Sequence, residues 1–183
     1  MAHYLLVIGD REALGWVLTE QRMAFPDMRR AEVRALTPGD TLFLYTTRGC
    51  FKNPTRDRGR IIAAGTARSA VAELDEPVEF GGKRFTVGCD VEFATATTWP
   101  EGVELGPLVG ELASFTGMED SWSIRLRKPL VAVTERDASY LRDQLERHTL
   151  HPLAEVLDDY ARWWVPAQAE GSDSRDATAP PTG

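Results

Sequence analysis

The sequence predicts an α+β fold: one small domain built on a curled sheet of mixed strands, with short helices between strands and one or two helices at the C-terminal end. Short apolar runs of strand length alternate with turn residues, and helical spacing appears between them and again after the last run. The chain has 183 residues, of which 43% are hydrophobic, and this suffices for one core. We expect the domain over residues 1–148, a helical extension over 149–165 and a disordered tail over 166–183.

The first strand and the first helices are marked by turn and capping residues. An apolar run over residues 4–8 is typical of a buried strand. Gly9 and Asp10 close this run, and Asp10 predicts a short capped helix. A second helix is expected over about 28–36, and the turn residues at 37–40 lead into a strand over 41–45.

The middle of the chain predicts further strands. Residues 61–67 form an apolar run, in which Gly65 indicates a bulge or a close approach of another backbone. Gly81 and Gly82 predict the tight turn of a hairpin. Apolar and polar residues alternate over 85–93, as expected of a long half-buried strand after that turn.

The last third of the chain predicts one strand and two longer helices. Residues 130–133 form a short apolar run, and Thr134 is expected to cap a helix through about Arg147. Pro152 suits the first position of a final helix. The sequence does not decide whether the apolar stripe of this helix packs on the domain or on a partner. The stripe consists of Leu153, Val156, Leu157, Tyr160 and Trp164.

Residues 47–60 form a polar loop between two predicted strands, and this loop is the strongest functional signal in the sequence. Its length, its glycine and proline content and its lack of apolar periodicity indicate an exposed binding segment. Between positions 21 and 68 there are ten cationic residues and four carboxylates, although the whole chain has a net charge of −7. Phe51 adds an aromatic ring, and proteins use such pairings to hold bases next to their phosphates. We expect phosphate contacts from five side chains: Arg48, Lys52, Arg56, Arg58 and Arg60.

The composition argues against several other classes of function. Cys50 and Cys89 are too few for a disulfide framework and lack the spacing of a zinc site. The sequence has no glycine-rich phosphate fingerprint, no serine elbow and no cluster of metal ligands, so we expect neither a metal nor a cofactor. It has no secretory signal and no segment of membrane-spanning length, and we therefore expect a cytoplasmic protein without a membrane partner.

The order of these landmarks resembles the EVE domain, a member of the PUA-like superfamily to which the YTH and ASCH domains are related. The resemblance covers roughly residues 2–145 and depends on the order and spacing of motifs that are individually weak. It implies a small PUA-like mixed β pseudo-barrel. The motifs are Tyr4-Leu5-Leu6, Pro26 with Arg29, Pro38-Gly39-Asp40 before Phe43-Leu44-Tyr45, the strand over 61–67, Phe115 with Trp122, Leu126-Arg127, and the helix entered near Asp137.

The resemblance implies a non-catalytic pocket for a modified nucleobase, methylated or hydroxymethylated, on DNA or RNA. A base must leave its stack to enter such a pocket, so aromatic faces and hydrogen bonds to the base edge replace stacking and pairing. The ligand-binding positions carried over by the resemblance are Phe25, Arg29, Tyr45, Thr46, Thr47, Trp122 and Ser123.

Two alternatives stay open at this point. The first is a PUA-like hydrolase that acts on nucleosides or nucleic acid. The cations around Cys50 could lower the pKa of a thiol nucleophile there, but the three histidines lie far along the chain, and this favours a bystander cysteine. The second is a protein-interaction module that forms a homodimer or binds a partner through the C-terminal helix.

Overall fold

A curled, half-barrel sheet of mixed strands lies at the centre of the structure, a computed structural model that describes residues 1–166. The predicted disordered tail therefore lies outside the described residues from position 167 onward. The described strands are β1 (His3–Ile8), β2 (Arg22–Phe25), β3 (Thr41–Thr46), β4 (Arg60–Ala67), β5 (Ala72–Phe80), β6 (Lys83–Glu92), β7 (Thr95–Thr97), β8 (Val103–Glu104), β9 (Leu130–Val133) and β10 (Leu150–Pro152).

Short helices connect and cover the strands, as the α+β prediction requires. The α-helices are α1 (Arg11–Glu20), α2 (Ala31–Ala35), α3 (Glu135–Glu146) and α4 (Leu153–Ala161). Three further segments are 3-10 helices: Gly106–Glu111, Ala113–Phe115 and Trp122–Arg127. No helix within residues 1–166 is both long enough and apolar enough to cross a membrane.

The order of strands in the main sheet is β2-β6-β4-β3-β1-β9, with β5 also paired to β6 and β8 to β4. β1 and β3 are parallel, and the other pairs are antiparallel. β6 is long enough to pair with β5 and β2 along most of its length and with β4 at its C-terminal end. This sharing of one strand curls the sheet. β7 and β10 form a separate antiparallel pair.

The local turn predictions are confirmed. Gly81 and Gly82 have φ values of +57° and +73°, which favour glycine, and they close the β5–β6 hairpin. Gly65 marks a close approach, because a Cβ added there would lie 2.2 Å from the backbone oxygen of Glu92. The irregular pairing between β3 and β4 lies elsewhere, between Leu44 and Tyr45.

The capping predictions are also confirmed, although α2 is shorter than expected. Asp10 Oδ1 accepts hydrogen bonds from the backbone N–H groups of Glu12 and Ala13 at 2.8 and 3.1 Å. Thr134 Oγ1 accepts from the backbone N–H of Asp137 at 3.1 Å. Strand β2 is missing from the sequence prediction, because its four residues are too few to show a clear alternation of apolar and polar side chains.

The central strands separate two apolar cores because alternate side chains point to opposite faces. Leu42 and Leu44 of β3 belong to the larger core, beneath α1 and α4. Phe43 and Tyr45 of the same strand belong to the smaller core, beneath α3. Both faces of β3 are therefore covered by protein.

The apolar stripe of α4 packs on the domain itself. Val156 and Tyr160 lie in the same core as the buried face of α1. The helices approach so closely that a Cβ added at Gly15 would lie 3.1 Å from the Cα of Ala161, the last residue of α4. Tyr160 Oη also donates a hydrogen bond to the backbone oxygen of Thr97 at 2.9 Å. The stripe thus packs on the domain, and binding of a partner through this helix stays a prediction.

Candidate functional site

A cleft of about 410 Å³ opens where the end of β1, the start of α1, strand β2 and the β5–β6 hairpin meet the segment 126–129. This volume lies within the usual range of small-molecule sites, about 300–1,000 Å³. The cleft forms here because Gly9 and the capping residue Asp10 turn the chain from strand to helix.

One wall of the cleft is aromatic. The rings of Trp16 and Phe80 are 5.6 Å apart between centroids, and those of Phe80 and Phe85 are 6.0 Å apart. Trp16 and Phe80 are largely buried, whereas Phe85 is half-buried. Val17 and Met23 extend the apolar lining. Phe85 is therefore the most accessible of the three rings to a flat heterocycle in the cleft.

Cationic side chains line the same cleft. Arg30, Lys83 and Arg127 are exposed, and none of them forms an ion pair within residues 1–166. Lys128 is different, because its Nζ lies 2.9 Å from a carboxylate oxygen of Glu32, and this hydrogen bond lowers the pKa of Glu32. The three unpaired cations give the cleft the charge needed to attract an anionic ligand.

Two polar side chains complete the cleft. Asp10 uses Oδ1 to cap α1, while Oδ2 faces the hairpin turn, 3.3 Å from the Cβ position of Gly81. Thr47 lines the cleft from the end of β3, and its hydroxyl lies 3.6 Å from the Cβ position of Gly9. A carboxylate oxygen and a hydroxyl can together hydrogen-bond the edge of a base.

The expectation that the predicted ligand-binding residues share one cavity requires correction. Of the seven, Thr47 lines the cleft. Phe25 and Tyr45 are buried in different cores, because β2 and β3 are covered on the faces where these rings point. Burial raises the pKa of Tyr45 to about 12, as expected of a phenol in a dry interior.

The remaining four residues also lie away from the cleft lining. Thr46 is buried and its hydroxyl donates to the backbone oxygen of Arg60 at 3.3 Å. Trp122 is half-buried against the smaller core, and Ser123 beside it is exposed. Arg29 is exposed and its Nε lies 3.4 Å from a carboxylate oxygen of Asp27, its neighbour on the surface.

Sequence reasoning missed most of the cleft residues, although some signals were present. Phe80 and Phe85 flank the glycine pair of the hairpin, and Lys83 lies within the hairpin. Trp16 follows the capping residue Asp10 in a helix that was predicted. Their convergence depends on β6 pairing with β2, which no local pattern indicates.

The predicted phosphate-binding loop is exposed, with one exception among its cations. Arg60 begins β4 and pairs with Glu104 of β8 at 3.3 Å, so it is held within the sheet. The phosphate contact of Arg60 stays a prediction, for a side chain that already has a carboxylate partner. The other four are exposed and form no ion pair within the described residues: Arg48, Lys52, Arg56 and Arg58.

The structure contradicts the hypothesis of a thiolate at Cys50. The side chain is 1% exposed, and burial, followed by the charges of Asp10 and Asp57, raises the pKa of this thiol. The nearby Arg11 does not offset these effects. Cys50 is therefore a protonated core residue at neutral pH. Within residues 1–166, no three His, Cys, Asp or Glu side chains are grouped to hold a metal ion.

Comparison with known proteins gives a distant structural similarity. No protein-family model and no curated protein matches the chain. Among solved structures, the chain is similar to the NMR structure of Rpa0253 from Rhodopseudomonas palustris, with 14% sequence identity and a TM-score of 0.49. The matched region covers 80% of this chain and 94% of the other.

Proposed function

We propose that this protein is a non-catalytic nucleic-acid-binding module that holds one modified base, methylated or hydroxymethylated, in the cleft beside Asp10. The observation that carries this proposal is the combination of an aromatic wall, a polar edge and unpaired cations in a space of about 410 Å³. We further propose that the curled sheet is a PUA-like pseudo-barrel of the EVE type, with which the half-barrel and short helices are compatible.

The lining of the cleft suits a base. Phe85 can stack on one face of a heterocycle, and each stacked base contributes about 1–3 kcal/mol. Val17 and Met23 offer an apolar surface for a methyl group. Asp10 can accept a hydrogen bond from the exocyclic amine of cytosine or adenine, and Thr47 can donate to or accept from the base edge.

The charges favour a base that belongs to a nucleic acid. Arg30, Lys83 and Arg127 line the cleft without carboxylate partners, and the basic loop begins directly after Thr47. Cations at the cleft can neutralise the phosphates on either side of the captured nucleotide. The acidic remainder of the protein limits indiscriminate coating of the polymer.

The test is a binding measurement on short single strands that differ at one base. Fluorescence anisotropy compares cytosine, 5-methylcytosine, 5-hydroxymethylcytosine, adenine and N6-methyladenine in the same sequence. We expect the wild type to prefer one modified base. Phe85→Leu keeps an apolar side chain but removes the ring, and it should weaken binding of the preferred strand by about tenfold or more.

A matched pair of charge variants separates base reading from phosphate contact. Lys83→Ala should weaken binding of all sequences alike and reduce the salt dependence. Arg84→Ala removes a neighbouring exposed cation that does not line the cleft, and it should leave affinity nearly unchanged. Wild-type affinity that is equal for all five bases would refute the proposed function.

A further inference from the structure

A second aromatic cluster lies outside the cleft and draws its rings from three distant segments. Phe51 comes from the basic loop, Trp99 from the β7–β8 connection and Trp163 from the residues after α4. Ring centroids are 6.0 Å apart for Phe51 and Trp99, 5.5 Å for Phe51 and Trp163, and 6.3 Å for the two tryptophans. All three side chains are half-buried, so the cluster, which we call the aromatic platform, reaches the surface.

Two guanidinium groups lie on the platform. The Arg162 guanidinium is 4.5 Å from the ring centroids of both Trp99 and Trp163. Its Nε donates to the backbone oxygen of Asp159 at 2.8 Å, which holds the side chain in place. The Arg11 guanidinium lies 5.0 Å from the Trp163 ring. The Arg162 side chain is 42% exposed, so part of it stays open to solvent beside the indole rings.

The surroundings of the platform carry the charge that a nucleic acid requires. Phe51 lies inside the basic loop, whose cations Arg48, Lys52, Arg56 and Arg58 are exposed and unpaired within the described residues. Arg162 also forms an ion pair with Asp159, with 4.0 Å between Nη2 and Oδ1. Positive charge next to flat π faces is complementary to a flexible polyanion that carries bases.

The platform is connected to the cleft through short stretches of chain. Thr47 lines the cleft, and Phe51 follows four positions later in the same loop. Asp10 lines the cleft, and Arg11 beside it contacts Trp163. A strand that places one base in the cleft therefore has the platform within reach of its neighbouring nucleotides.

We propose that the aromatic platform and Arg162 form a second subsite, which stacks an unmodified base flanking the modified one on a single-stranded nucleic acid. The flanking base stacks on the outer face of the Arg162 guanidinium, and the loop cations contact the adjacent phosphates. This inference deepens the proposed function and rests on it for the identity of the polymer. The subsite does not discriminate between bases, because every base has a flat face that can stack.

The test uses the full chain and an unmodified eight-nucleotide single strand of thymidine, measured by anisotropy at low salt. Arg162→Gln removes the guanidinium plane from an exposed position, and we expect it to weaken binding about tenfold, equivalent to about 1.4 kcal/mol. Trp163→Leu should have a similar effect. Arg142→Gln removes an exposed arginine from α3, on another part of the surface, and should change affinity less than twofold.

A second ligand distinguishes this inference from the proposed function. A mononucleotide with the preferred modified base occupies the cleft alone, so its affinity should fall in Phe85→Leu and remain constant in Arg162→Gln. If no base preference exists but Arg162→Gln still weakens binding of the unmodified strand, the subsite stands and the proposed function falls. If the wild type does not bind that strand, or Arg162→Gln binds it as the wild type does, the subsite is refuted.

Discussion

Replacing Tyr160 with phenylalanine tests how the C-terminal helix is attached to the rest of the protein. Tyr160 is fully buried, and its hydroxyl donates to the backbone oxygen of Thr97 at 2.9 Å and lies 3.3 Å from Thr97 Oγ1. Thr97 is itself buried, in the short strand β7. The substitution removes one oxygen atom and leaves the ring in its packing position.

The expected cost follows from what is left unpaired. A typical hydrogen bond contributes about 0.5–1.5 kcal/mol net, and an acceptor left buried without a partner costs about 1–3 kcal/mol. Because both residues are sealed from solvent, water cannot replace the lost donor without opening the helix contact. We expect Tyr160→Phe to lower the free energy of unfolding by about 1–3 kcal/mol.

Urea denaturation followed by circular dichroism measures this change. Tyr140→Phe is the matched control, since Tyr140 is half-buried and its hydroxyl forms no hydrogen bond within residues 1–166. Its effect should stay within about 0.5 kcal/mol. If Tyr160→Phe unfolds at the same urea concentration as the control, the docking of α4 onto β7 described above is incorrect.

Two further predictions concern the sheet and the buried phenols. Gly65→Ala should lower the free energy of unfolding, because overpacking costs of about 1–3 kcal/mol exceed the gain of about 0.4–1 kcal/mol from a stiffer unfolded chain. Gly110→Ala is the control, because a Cβ added at Gly110 has no atom within 4 Å, and it should be neutral or stabilising. Equal thermal midpoints for the two variants would contradict the close approach of β4 and β6. Burial raises the pKa values of Tyr45 and Tyr160 to about 12, so the unfolded chain loses these protons first. These two tyrosines should leave the free energy of unfolding unchanged below pH 10. Between about pH 10 and 12 that free energy should fall, by up to about 3 kcal/mol per tyrosine. Constant urea midpoints across this interval would refute the prediction.

Much of the fold could be predicted because its signals are local. Asp10 and Thr134 cap the helices that follow them, and the glycine pair at 81–82 closes a hairpin. Such features depend on residues a few positions apart, so a sequence pattern contains them completely. Strand β2 lacks such a signal, because its four residues become a strand by pairing with β6.

The site was harder to predict, since it depends on which face of each strand is covered. Tyr45 ends an apolar run, a pattern that favours packing, and it is placed among the ligand-binding residues by the family resemblance. In the structure, β3 lies between two cores, so neither face of the strand opens toward a cavity. The aromatic wall comes instead from Phe80 and Phe85, whose position is fixed by pairings between distant segments. Alternation along one strand cannot show which neighbours cover it.

The C-terminal helix links stability to the proposed binding surface. Trp163 lies beside Trp99 and Phe51 because α4 is packed against α1 and Tyr160 is hydrogen-bonded to Thr97. Arg162 lies on the two indoles for the same reason. The aromatic platform therefore exists only while the helix is docked. The segment predicted as an extension of the domain thus supplies Arg162 and Trp163, two side chains on which the proposed second subsite depends. Contacts that stabilise the docked helix therefore also hold these two side chains in place.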